Sequence, residues 1–311
     1  MANPKQFIFF DFEMLCSNKG MSFANMEAIR LGAVKYDLET ETIQRFDRFI
    51  KPKNRKPLSN FCKQLTGIND TDLKDAEDFK TVFEEFLTWV GGIKKSRFFS
   101  WSTSDLTRLK IDAAKHGVSE TTIKKIEKRY VDFQAIFTKR VSKNNPSVEN
   151  ALAFYDLTFI GEKHNPMYDA LNTLRVYLSF LNKPKQSDLI MVKQFILEDV
   201  PKDKGKLNKE LVQKLTEDIR VYSTHLDEMY RMKDASKLLK KTRQLVEKYE
   251  NILINRSGLF SKELVSLISQ LVEYYYELIL CYEDHINHSS KVMILDESIF
   301  YPIKELQQKR G

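Results

Sequence analysis

Four consecutive apolar residues, Phe7-Ile8-Phe9-Phe10, run into Asp11-Phe12-Glu13, and no other stretch constrains the fold as tightly. A short apolar run of this kind predicts a strand buried on both faces. Side chains two apart on a strand share a face, so the two carboxylates leave it side by side. Their mutual repulsion is unfavourable without a counter-charge. A divalent cation is the usual counter-charge for carboxylates placed this way.

The surrounding pattern is that of an α/β chain. Strands are predicted over Phe7–Phe12, Glu27–Asp37, Thr42–Ile50 and Arg97–Trp101. Helices are predicted over Asp78–Val90, Leu106–His116, Phe133–Lys139, Ser147–Tyr155 and Tyr168–Leu181. A meander of strands followed by strand–helix alternation predicts a mixed sheet flanked by helices. Past Asn182-Lys183-Pro184-Lys185 the pattern becomes purely helical. Leu207, Leu211, Leu215, Ile219, Tyr222 and Leu226 mark one amphipathic helix, and Leu264, Ile268, Leu271, Tyr275, Leu278 and Tyr282 another. Ser257-Gly258 punctuates between them and Ser261 is a suitable N-cap. The expected division is therefore a catalytic α/β domain over residues 1–183 and an all-α C-terminal domain of unknown role over 184–311.

Cysteine usage and charge narrow the setting. Cys16, Cys62 and Cys281 are odd in number and far apart, which predicts a reduced, intracellular and hence cytoplasmic protein. The most apolar window, Leu264 to Tyr282, is interrupted by Glu273 and Glu277, so no membrane association is expected. Residues 1–183 hold 29 Lys+Arg and 23 Asp+Glu, a balance of +6, against +1 for 184–311 with 21 and 20. Acids consumed by metal would leave the first part more basic still, favouring an anionic partner such as nucleic acid.

Two later places supply partners for Asp11 and Glu13. Asp105 follows the strand Phe98–Trp101 and the hydroxyl-rich Ser102-Thr103-Ser104. His164-Asn165-Pro166-Met167-Tyr168-Asp169 leads into the helix ending at Leu181. An acid at a helix start is also an ordinary dipole-favoured choice, and a lone loop histidine is commonly structural. The combination is more specific. Asp-x-Glu after a buried strand, an Asp after a later strand and His-x4-Asp before a helix resemble the DEDDh branch of the DnaQ-like 3′–5′ exonuclease superfamily. Glu27-Ala28-Ile29-Arg30-Leu31-Gly32-Ala33-Val34 looks like that family's second strand. The segment Leu58-Ser59-Asn60-Phe61-Cys62-Lys63-Gln64-Leu65-Thr66-Gly67-Ile68 resembles the branch of histone-mRNA and small-interfering-RNA exonucleases and their KapD-like relatives. The resemblance covers about residues 5–182.

The resemblance implies a ribonuclease H-like fold and two divalent cations, Mg2+ or Mn2+, with Asp11, Glu13, Asp105 and Asp169 as ligands directly or through water. It implies His164 as the base, with Glu13 also at the catalytic centre, and hydrolysis of RNA or single-stranded DNA from the 3′ end to nucleoside 5′-monophosphates. Substrate contacts are expected from the backbone of Phe12, Glu13 and Met14, and from Leu65-Thr66-Gly67-Ile68, with Ile68 as an apolar wall. Trp101 is expected either to stack on a base or to pack in the core. Relatives often carry a hydroxyl two positions after the catalytic Glu; here Leu15 stands there. Relatives also often carry an acid where Arg30 stands.

Other signals are weaker. Cys281, His285 and His288 share a helical face beside Asp284 without a strong zinc spacing. Lys237, Lys240, Lys241 and Arg243 form a dense basic group that is either a nucleic-acid contact or a solvated helix face. Tyr274-Tyr275-Tyr276 occupies several helix faces, which predicts burial in a bundle or against a protein partner.

Overall fold

The computed structural model describes residues 3–224, 226–299 and 303. Its chain divides into two compact units, one of residues 1–139 and 144–182, the other of residues 140–143 and 183–311.

The first unit is built on a five-stranded sheet of order β3-β2-β1-β4-β5, with β1 Gln6–Met14, β2 Ala28–Asp37, β3 Ile43–Phe49, β4 Ser96–Ser100 and β5 Tyr130–Asp132. β1 is central, antiparallel to β2 and parallel to β4. Helices fill the connections: α1 Asn60–Thr66, α2 Asp70–Lys74, α3 Phe79–Val90, α4 Thr103–Lys115, α5 Glu120–Glu127, α6 Phe133–Arg140, α7 Val148–Ala153 and α8 Pro166–Asn182. Three-residue β5 and the short helices α2 and α5 carry too few residues to show a period, and the sequence reading lacked them.

Burial of β1 follows from its composition. Ile8, Phe10 and Phe12 pack on one face against Phe79, Phe83, Phe98 and Leu109. On the other face Phe7 and Phe9 meet Phe99 and Tyr177 of α8. Asp11 and Glu13 continue the Phe7–Phe9 face, so they point toward the layer that holds α8. The β1–β2 register shifts between Glu13 and Met14, which ends regular pairing at the carboxylates.

The second unit contains α9 Pro184–Phe195, α10 Lys204–Ser223, α11 Met232–Tyr249 and α12 Lys262–Asn287. Leu207, Leu211, Leu215 and Ile219 of α10 are buried as their spacing predicted, and Ser261 caps α12 by accepting from the Leu264 N–H. This helical region also carries a ribbon, β6 Met229–Arg231 antiparallel to β7 Val292–Ile294, whose strands lie too far apart in sequence to be paired by pattern. At 26 residues, and with a mean hydropathy of 1.3 in its most apolar window, α12 does have the length and composition of a membrane span. Its Leu264, Leu267, Ile268, Leu271, Tyr274 and Leu278 are nevertheless buried in the core of this unit. Of the tyrosine triplet, Tyr274 is buried and bonded to the Tyr222 hydroxyl at 2.9 Å, whereas Tyr276 is exposed.

Candidate active site

Three elements converge at the end of β1. Asp11 pairs across the sheet with Gly32, and Glu13 with Arg30. Gly32 is what admits the third element. A Cβ built there would lie 1.9 Å from the Met167 nitrogen and 2.2 Å from the Pro166 carbonyl carbon. The start of α8 thus rests directly on the β2 backbone, and Asp169 on its first turn reaches the carboxylate pair. One ligand oxygen each from Asp11, Glu13 and Asp169 lies within 4.8 Å of the others. This is the metal-capable group found among the described residues.

Asp105 joins from α4, whose N-cap is Ser102. Its Oδ1 accepts the Phe12 N–H at 3.2 Å, a bond to the backbone between the two β1 carboxylates. Asp105 is 4% exposed. It stands outside the three-oxygen group while sharing its field, which suits a ligand acting through water.

The metal-free electrostatics are unfavourable. Burial, then repulsion from Asp105, Asp169 and Glu13, holds the Asp11 carboxyl well above the usual range. Burial, then Asp169 and Asp105, pushes Glu13 up to about 8 against the opposing pull of Arg30. Burial raises Asp105 to about 7 and Asp169 to about 6. A cluster of hard oxygen donors whose charged forms are this disfavoured is relieved by hard divalent cations, so the donor set fits the expected metals.

His164 lies in the loop before α8, exposed and with a φ of 60°. Its backbone N–H opposes the burial that raises the Asp169 carboxyl, which places the loop close to the first turn of α8. Gly161 permits the bend: its φ is 83°, and a Cβ there would sit 2.2 Å from the Tyr168 ring. Asn165 completes the turn by accepting the Met167 N–H at its Oδ1 and the Asp169 N–H at its carbonyl.

The expected substrate contacts divide. Met14 is half-buried at the end of β1 and its carbonyl accepts the Cys62 thiol. Gly67 is exposed in the left-handed C-cap of α1, a conformation glycine adopts without strain. Two expectations need correction. Ile68 is 1% exposed and Leu15 is 5% exposed; both pack with Ile29, Leu58, Cys62 and Leu73. Their side chains are core, so Ile68 supplies no wall to a base. Trp101, half-buried, packs edge-on against Phe133 with Nε1 donating to the Pro146 carbonyl at 2.9 Å, the packing alternative of its two expected roles. Thr66 is also buried, donating to the Cys62 carbonyl and accepting from Ile68, and Phe12 turns its ring into the opposite face.

What the sequence reading missed is Phe61, which shares an exposed face of α1 with the expected contact Leu65. Phe61 and Leu65 are 41% and 40% exposed, and their four-residue spacing places them on one helix face. α1 is fastened just past Glu13, with Ser59 Oγ donating to the Cys16 carbonyl at 2.8 Å and the Cys62 thiol facing the Met14 carbonyl at 3.6 Å. A strut below was also missed. Arg108 is wholly buried and donates to the carbonyls of Phe23 and Met26 and to Asp112, whose other oxygen accepts the Ala28 N–H. It fixes the 15–27 connection between β1 and β2.

In the second unit the histidines do not converge. His285 Nδ1 bonds to the Cys281 carbonyl and His288 Nδ1 to the Asp284 carbonyl, each one turn back. On α11, Lys237 pairs with Asp234 and Arg243 with Glu247, so half of that basic group is neutralised on its own helix.

The sequence profile of the family described as Exonuclease matches residues 8–177. The chain belongs to this exonuclease family. The 3'-5' exonuclease crn-4 of Caenorhabditis elegans is 25% identical over 168 residues, 50% of this chain and 56% of that protein. ERI1 exoribonuclease 2 of Danio rerio is 24% identical over 189 residues, 53% of this chain and 33% of that protein. The chain thus spans between a third and just over half the length of these curated relatives. Among solved structures, cell-death related nuclease 4 (CRN-4) aligns with a TM-score of 0.52 at 22% identity, covering 58% of this chain and 64% of that one. The nuclease domain of 3'hExo, a DEDDh family member bound to rAMP, aligns at 0.53 and 20% identity, covering 58% and 95%. These likenesses bear out the exonuclease fold.

Proposed function

We propose that this exonuclease-family chain hydrolyses RNA or single-stranded nucleic acid from the 3′ end, releasing nucleoside 5′-monophosphates. The observation that carries this reading is the meeting of Asp11, Glu13 and Asp169 within 4.8 Å, with Asp105 bonded between them and His164 folded over the same turn. The presence of an exoribonuclease among the curated relatives favours RNA.

Two divalent cations held there supply Lewis acidity at the scissile phosphate and charge compensation for the leaving oxygen. The protein's own residues do the rest. Asp11, Glu13, Asp169 and Asp105 would hold the cations, and Asp105 also fixes the β1 backbone through the Phe12 N–H. His164, solvent-exposed on the loop before α8, takes the proton from the attacking water as general base. Phe61 and Leu65 offer an apolar face to the terminal bases, for which stacking is sequence-tolerant. Gly67, at the end of the same helix, lets a nucleotide approach the backbone.

The test is degradation of end-labelled RNA and DNA oligonucleotides with Mn2+ or Mg2+ and then with chelator. Shortening from the 3′ end that disappears with chelator and in Asp11→Asn supports the reading. Binding with no cleavage under either metal would overturn it. Greater shortening of DNA than of RNA would reassign the substrate.

A further inference from the structure

The segment Lys51-Pro52-Lys53-Asn54-Arg55-Lys56-Pro57 joins β3 to α1. Its four cations, Lys51, Lys53, Arg55 and Lys56, are all exposed. Among the described residues none has a carboxylate within ion-pair distance. Two of the nearby acids are engaged elsewhere. Asp70 pairs with Lys63 and accepts the Leu58 N–H, and Glu27 pairs with Lys115. The Lys51 and Lys53 ammonium groups find only the backbone carbonyls of Lys74 and Lys115.

The loop is nonetheless held in place. Glu27, 4% exposed, accepts the Lys53 and Asn54 N–H groups at 2.8 and 3.1 Å. Lys51 N–H donates to the Glu77 carbonyl at 2.8 Å. A groove of about 460 Å³ beside the loop is lined by Arg55, Lys56 and Lys74 together with Leu58, Leu73 and Asp70, the acid already paired with Lys63. A fixed backbone carrying uncompensated cations is preorganised for a polyanion, because little ordering entropy remains to be lost on binding.

Its position ties it to the catalytic centre. The Glu27 carbonyl accepts the Leu15 N–H at 2.8 Å, two residues past Glu13. The loop also leads straight into α1, whose seven residues span about 10 Å between the basic loop and Gly67.

We propose that Lys51–Lys56 is a track for the phosphate backbone of the substrate strand upstream of its 3′ end. This deepens the exonuclease reading and rests on it for the identity of the strand. Bases nearest the 3′ end lie on the Phe61–Leu65 face of α1, and the phosphates before them reach the cations at the start of that helix. The grip is on phosphate and carries no sequence information.

Arg55→Glu/Lys56→Glu in the full chain tests it, since neither side chain has a contact to lose and the melting temperature is expected to stay unchanged. Binding of a labelled 20-mer is measured in Ca2+ between 50 and 200 mM salt, as RNA and as DNA, alongside Mn2+-dependent hydrolysis of a trinucleotide. The variant is expected to bind either 20-mer on the order of tenfold more weakly. Its salt slope should fall by at least about 1.4, from ~0.7 per phosphate contact on a single strand. Trinucleotide hydrolysis should match wild type. Unchanged 20-mer affinity overturns the track, as does an equal loss on the trinucleotide or a loss confined to RNA. If the 20-mer is held through Arg55 and Lys56 but neither protein cleaves anything, the track stands and the exonuclease reading falls.

Discussion

Replacing Asp105 by Asn should stabilise the metal-free protein while removing its activity. The carboxyl is raised from 3.8 to about 7, chiefly by burial. Between pH ~4 and ~7 the folded state therefore keeps a proton that the unfolded chain has already released, and stability falls as pH rises through that window. Three units correspond to about 4 kcal/mol once the group is fully charged, on the order of 10 °C in the melting of a unit this size. Asn retains an oxygen to accept the Phe12 N–H, so the change isolates the charge. Melting in chelator should show wild type and Asp105→Asn together at pH 4 and the variant clearly higher at pH 8. Mn2+ should then narrow the gap, because a ligand at 100 times its Kd stabilises wild type by about 2.7 kcal/mol and the variant by much less. Asp105→Asn melting at or below wild type at pH 8 in chelator would refute the claim that this acid is held in an unfavourable field awaiting a cation.

Three further outcomes follow from the geometry. His164→Ala should lower turnover about 10²–10⁴-fold yet keep the Mn2+-induced rise in melting temperature, because its side chain is exposed and holds no ligand; loss of that rise would count against a base-only role. Gly32→Ala should destabilise by about 1–3 kcal/mol and weaken metal-induced stabilisation, since its Cβ collides with the start of α8; a wild-type metal response would show that Asp169 does not depend on that approach. Arg108→Ala should cost about 3–5 kcal/mol by stranding buried Asp112, read as a fall in melting temperature, and a change under 1 kcal/mol would mean that the strut does not hold the 15–27 connection.

Much of the catalytic centre was legible in local pattern. Phe7–Phe10 specifies a buried strand because its burial is needed on both faces, and the two-residue strand period then puts Asp11 and Glu13 on one side. Pro166 marks a helix start, and Asp169 falls on its first turn through spacing alone. The helical tail was legible for the same reason, through Leu207–Ile219 and Leu264–Leu278.

Side-chain exposure was not legible. Ile68 and Leu65 lie three residues apart in one expected contact segment, yet Ile68 is core while Leu65 and Phe61 face solvent. Which apolar residue is covered depends on what packs against it from elsewhere in the chain, and a period reports only the face. The sequence by itself determined the elements, the shared face of the β1 carboxylates and the family motifs. Only the tertiary structure decided that α8 could rest on Gly32, that Asp105 would bond to a backbone 93 residues away and that a basic loop would be fixed beside the catalytic strand. Those outcomes depend on contacts between distant segments, which no local spacing encodes.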